Sequence, residues 1–137
     1  MGTVHAEISL KNEADETKAR IGVIKEEDIR AVTVTALVDT DSMYLVITEE
    51  LRQKLGLTIR EEKMARTANG QRVLSKITDA VEVRWKNRTT IVQALVIPGA
   101  EVVLLGALAL EGMDLMVNPV TLELVGVHGD NVECFAM

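Results

Sequence analysis

The sequence predicts an all-β fold with one or two short helices, and three observations carry that prediction. Val, Ile and Thr are concentrated in short runs, several of those runs alternate apolar with polar side chains, and turn residues interrupt them at short intervals. With 47% hydrophobic and 26% charged residues the chain has the composition of a folded globular protein. Its 137 residues suffice for one domain with a real core and are too few for two ordinary ones, so 1–137 is read as a single domain. The core of that domain is expected over about 4–125 and a tail over 126–137. Tyr44, Trp85 and Phe135 are the only aromatics, which leaves Val, Leu, Ile, Ala and Met to fill the interior.

Val4, Ala6, Ile8 and Leu10 alternate with His5, Glu7 and Ser9, the period of a half-buried strand. The polar stretch from Lys11 to Lys18 reads as a turn or loop, and Arg20 to Lys25 as a second strand. Lys25-Glu26-Glu27-Asp28 reads as a solvated turn, because like charges resist burial together. Ile29 to Val38 is rich in β-branched residues and ends in Ala36-Leu37-Val38, a strand running into the core. Thr48 before Glu49 and Glu50 has the form of a helix cap with acids in the first turn. Leu51 and Leu55 share a face, and Gly56 ends the helix.

Asn69-Gly70 between Met64 to Thr67 and Arg72 to Leu74 is a hairpin signal. A second hairpin joins Ala80–Trp85 to Thr89–Ile97 through Lys86-Asn87-Arg88, and Pro98-Gly99 breaks its outgoing strand. Val102 to Gly106, a short helix over Ala107 to Gly112, and a strand pair around Leu115–Val117 and Leu122–Val125 complete the domain, with Asn118-Pro119 turning between the last two. Val132 to Phe135 reads as a terminal strand.

Charge and composition exclude several functions. A net charge of −6 without a basic stripe argues against nucleic acid. No apolar stretch approaches the ~18–20 residues of a membrane span, and the N-terminus has no basic region followed by an apolar run, so no secretory signal is visible. Cys134 is the single cysteine and has no intramolecular partner, as in a protein of a reducing compartment; a cytoplasmic location is the default expectation. His5 and His128 lack a Cys or carboxylate cluster at ligand spacing, so no metal is expected. Ser42 lacks the Gly-x-Ser-x-Gly context of a serine hydrolase. Asp79, Asp114 and Asp130 sit in turns or at strand edges, where solvation is the ordinary role of an acid, and Cys134 is read as an incidental or buried thiol.

Ala36-Leu37-Val38-Asp39-Thr40-Asp41-Ser42 resembles the active-site strand and turn of retropepsin-like aspartic proteases, in which an aliphatic strand ends in Asp-Thr-Gly followed by Ala or Ser. Taken alone, Asp39 is better explained as a turn residue after a buried strand. The order of further parts supports the resemblance. Glu49 to Leu57 is similar to the segment that bacterial single-domain members place after the loop, and the hairpin at Ala68, Asn69, Gly70 and Gln71 falls where the family has its flap. Val103-Leu104-Leu105-Gly106 is similar to the hydrophobic-hydrophobic-Gly motif packed beside the loop, and Leu108 to Met113 to the family's short helix.

The resemblance implies a small closed β-barrel of the retropepsin-like acid protease type. It also implies an endopeptidase that needs no metal or organic cofactor and acts on a peptide or protein substrate. Because one chain carries one Asp-Thr motif, it implies a homodimer with the site on the two-fold axis. Asp39 from each copy forms the dyad, which shares a proton, one carboxyl acting as base toward water. Thr40 bonds across the subunits, Ser42 bonds the outer oxygen of Asp39, and Ala68 to Gln71 cover the substrate. Asp41 departs from the pattern, since it stands where the family has Gly. The departure leaves a second reading open, a degenerate protease-like domain that binds peptide or dimerises.

Overall fold

The computed structural model describes residues 3–130. Nine strands and three short helices follow one another in the described chain: β1 (His5–Asn12), α1 (Glu13–Arg20), β2 (Ala31–Val38), β3 (Leu45–Ile47), α2 (Glu49–Leu55), β4 (Ile59–Arg66), β5 (Arg72–Trp85), β6 (Arg88–Val96), β7 (Leu104–Leu105), α3 (Ala107–Gly112), β8 (Leu115–Asn118) and β9 (Glu123–Gly126). Seven strands form one sheet in the order β1-β2-β7-β3-β6-β5-β4, and β1 also pairs with β5, so six of them close into a ring with β4 attached outside on β5. β8 and β9 make a separate two-stranded sheet. The fold is all-β, as the sequence predicts. The expected terminal strand at Val132–Phe135, and Cys134 with it, lies outside the described residues.

The ring encloses an aliphatic core. Ile8, Leu10, Leu45, Ile47, Leu55, Leu57, Val81, Val83 and Leu105 are all fully buried, and removing each such side chain from water contributes about 1.5–3 kcal/mol. The alternation of Ala6, Ile8 and Leu10 with outward His5 and Glu7 is the one read in the sequence. β5 has two jobs. Its first half pairs with β4 from Arg72 to Thr78, and its second half closes the ring against β1 from Val81 to Arg84. A register shift between Ile77 and Ala80 separates them. There the buried Thr78 hydroxyl accepts from the backbone N–H of Ala94 (3.2 Å), standing in for an interrupted ladder bond.

α2 matches its sequence signature. Thr48 Oγ1 accepts from Leu51 N at 3.1 Å, and Gly56 takes the left-handed conformation at φ 64° that a side chain would disfavour. Two expectations need correction at α1. Its first residues fall in the stretch read as a loop, and the strand expected over Arg20–Lys25 is a turn that exposes Ile21 and Val23. The polar helix forms because Asn12 caps it, its Oδ1 accepting from Asp15 N at 3.0 Å. The buried Asp15 carboxylate then accepts from Arg30 N, Nε and Nη2 at 2.8–3.0 Å. Hydrogen bonding to the Arg30 guanidinium, outweighing desolvation, holds the Asp15 carboxyl below its ordinary range. These partners lie 15 residues apart, and no local apolar stripe announces the helix. A 3-10 turn at Glu26–Asp28 is exposed, as the charge run suggests. No helix among the described residues is long and apolar enough to cross a membrane.

α1 also holds a strained acid. Glu16 Oε2 is buried without a hydrogen-bond partner among the described residues. Burial first, then the neighbouring Glu13 and Glu82, push its carboxyl up to about 7. Because the folded state holds this proton more tightly than the unfolded chain, the stabilisation is complete below the ordinary value of 4.5 and is lost as pH rises through about 7. Glu16→Gln, which cannot ionise, is therefore expected to melt like the parent at acid pH and at a higher temperature than the parent above neutrality. Thermal melts across pH check this, and coincident melting temperatures in alkaline buffer would contradict it.

Candidate active site

β2 delivers Asp39 to the top of the ring. At its end Val38 N donates to Val4 O (2.8 Å) and Asp39 N to Leu105 O (3.0 Å), so the chain is gripped on both sides as it leaves the sheet. Asp39 to Ser42 then form a tight turn closed by Ser42 N to Asp39 O (3.1 Å). Within it Asp39 Oδ1 accepts from Asp41 N at 3.0 Å, a side-chain turn that fixes the carboxylate against its own backbone. The expected bond from Ser42 to Asp39 is not made in the described chain: Ser42 Oγ donates instead to Tyr44 O at 3.1 Å. That oxygen is two residues away, and Asp39 Oδ1 is bonded by Asp41 N. Thr40 is exposed.

The floor under this turn is the Leu104-Leu105-Gly106 segment. β7 lies parallel to β2, with Leu37 opposite Leu104 and Val38 opposite Leu105, and antiparallel to β3 through Val46. Gly106 follows, and at the start of α3 Ala107 N donates to Ser42 O (2.7 Å) and Leu108 N to Met43 O (3.1 Å). The free N–H groups of a helix start thereby meet the carbonyls of the loop. Gly106 has an extended backbone at φ −96°, so its requirement is space: a Cβ there would collide with Tyr44 O and Ser42 O.

Asp41 occupies the position of a glycine without backbone strain. Lys86, Asp114 and Leu122 are the non-glycine residues with positive φ among those described, and Asp41 is not one of them. Its side chain is what the departure adds. Asp39 and Asp41 both line a groove of about 600 Å³. Val46, Leu95, Ile97 and Leu104 contribute its apolar surface, and Met43 and Tyr44 stand on the loop side. The β4–β5 hairpin lines it from Lys63 to Ala68. At the tip Thr67 N donates to Gln71 O (2.8 Å), Gly70 N to Thr67 O (2.9 Å), and Asn69 Oδ1 accepts from Gln71 N (3.2 Å). Of the four residues expected in the flap, Ala68 lines the groove, while Asn69, Gly70 and Gln71 build the exposed turn beyond it.

The family profile described as aspartyl protease matches residues 24–119. That span holds the loop, the hairpin and the β7 floor, and it covers well over half of the chain. The chain belongs to the aspartyl protease family. No curated protein matches it. Within this aspartyl protease scaffold, groove residues that sequence reading missed are Val46, Leu95 and Ile97. They meet because β3 and β6 pair in parallel, Val46 opposite Leu95, a contact between distant segments that no local pattern announces. Lys63 was missed as well; its ammonium donates to Tyr44 OH at 3.5 Å.

Other acids have structural partners. Asp79 accepts from Thr58 and, at 3.0 Å, from Arg60 Nη1, and these bonds, Thr58 first, hold its carboxyl below the ordinary range. Asp114 lies 2.7 Å from His128 Nδ1 and 3.6 Å from the buried Arg88 guanidinium. No group of three or more potential metal ligands occurs among the described residues. The geometry beneath the loop predicts that Gly106→Ala loses about 1–3 kcal/mol of stability, the usual cost of overpacking, because the backbone oxygens it meets cannot turn aside. Urea unfolding checks this; an unchanged midpoint would show that the loop does not rest on Gly106.

Proposed function

We propose that the chain is an aspartic endopeptidase that hydrolyses peptide bonds through a dyad of two Asp39 carboxyls, one from each subunit of a homodimer. The observation that supports this most directly is the placement of Asp39. It is held by its own turn over a backbone-bonded floor and lines a groove that faces a hairpin. Each chain has one such turn, so the second carboxyl comes from a second copy in an isologous arrangement. Two carboxyls at one site hold a single proton between them. The ionised one takes a proton from water as the water oxygen attacks the scissile carbonyl carbon, and the protonated one donates to the carbonyl oxygen. As the tetrahedral species collapses and the C–N bond breaks, the carboxyl that took the water proton gives it to the leaving nitrogen, and the other carboxyl regains a proton from the hydroxyl as the new carboxylic acid forms. Thr40 bonds across the two turns in this reading, and Ala68 to Gln71 close over the substrate backbone to exclude water. No step requires a metal or organic cofactor.

A second reading rests on Asp41. Its carboxylate lines the same groove as Asp39, so a dimer would gather four carboxylates near its axis, and a site overloaded with charge binds peptide or dimerises without cleaving it. Cleavage of a peptide library across acidic to neutral pH separates the two. The parent is expected to cleave, and Asp39→Asn to lose at least about 10³-fold in kcat, as expected when a dyad member cannot serve as base. Cleavage that survives in Asp39→Asn would remove the dyad. An inactive parent that gains proteolysis as Asp41→Gly would establish the second reading.

A further inference from the structure

The hairpin over the groove carries a charge pattern that folding alone does not explain. From Lys63 to Arg72 its tip contains Lys63, Arg66 and Arg72 and no acid, in a chain whose net charge is −6. Arg66 and Arg72 stand directly opposite each other in the ladder, where like charges destabilise a strand pair. Farther down the same hairpin the pattern is the favourable one, with Glu62 opposite Lys76. None of the three cations lies within ion-pair distance of a carboxylate among the described residues; Lys63 contacts the Tyr44 hydroxyl. Lys63 and Arg66 both line the groove that also holds Asp39. The lining of the groove thus combines the acids Asp39 and Asp41 with the cations Lys63 and Arg66 and the apolar Val46, Leu95, Ile97 and Leu104.

We infer that Lys63 and Arg66, with the field of Arg72 behind them, select peptides that carry an acidic side chain close to the scissile bond. The inference rests on the reading of this groove as the substrate site and names the class of substrate it takes. An acidic side chain supplies the counter-charge that the hairpin lacks and relieves the repulsion between Arg66 and Arg72. Because the cations are exposed, the preference is sensitive to salt.

The test uses paired peptides that differ by Glu or Gln beside the cleaved bond. The Glu peptide is expected to have a kcat/KM about tenfold higher at low salt, the ratio falling at high salt and approaching one in Lys63→Gln/Arg66→Gln. A ratio at or below one, or a ratio unchanged in the double variant, overturns the inference while leaving the endopeptidase reading intact. If neither peptide is cleaved, that reading fails by itself, and the inference is decided by anisotropy of the same labelled peptides on Asp39→Asn. Tighter binding of the Glu peptide that weakens when Lys63→Gln and Arg66→Gln are added to Asp39→Asn sustains it; equal binding overturns it.

Discussion

Everything at the candidate site depends on one seam of backbone hydrogen bonds. Asp39 N is bonded to Leu105 O, Ala107 N to Ser42 O and Leu108 N to Met43 O, so the loop is bound to β7 and to the start of α3 without the help of a side chain. Such a seam requires close approach, and Gly106 is the residue that permits it. It also fixes the position of Asp39 relative to the sheet, because β7 is paired at the same time to β2 and β3. A carboxylate presented this way is held by the fold rather than by its neighbours' side chains, which is what pre-organisation of an acid pair demands.

The parts of this arrangement that are local were legible in the sequence. Thr48 and Gly56 mark the two ends of α2, Asn69-Gly70 marks the hairpin, and Ala107 to Gly112 is the short helix expected there. What was not legible depends on distant partners. α1 has no apolar stripe and is held by Asn12 and by an Asp15–Arg30 pair that only the folded chain brings together. Ile21 and Val23 imitate a strand pattern but follow a helix whose end leaves them exposed. The ring closes through β1 with β5 and through β3 with β6, pairings whose register comes from packing and not from a turn. For the same reason the floor of the groove, Val46 beside Leu95, was invisible beforehand.

Asp41 is the informative departure. A glycine in a catalytic turn is commonly explained by backbone freedom, yet this turn keeps an ordinary φ with aspartate in place. The cost of the substitution is therefore electrostatic and depends on what surrounds the groove. Here the surroundings include an oppositely charged hairpin, whose Lys63 and Arg66 line the same groove as Asp39 and Asp41. β5 makes that juxtaposition possible: its bulge at Ile77 to Ala80 lets one strand close the ring with one half and carry the hairpin with the other. Ring and hairpin are thus continuous through one strand.

The central claim is that two copies of this loop meet. The separation of the two Asp39 carboxyl groups in a crystal structure of the protein tests it most directly. The account predicts a two-fold dimer with those carboxyls within hydrogen-bonding distance of one another across the axis. A monomer, or a dimer whose Asp39 side chains face away from the axis, would contradict it.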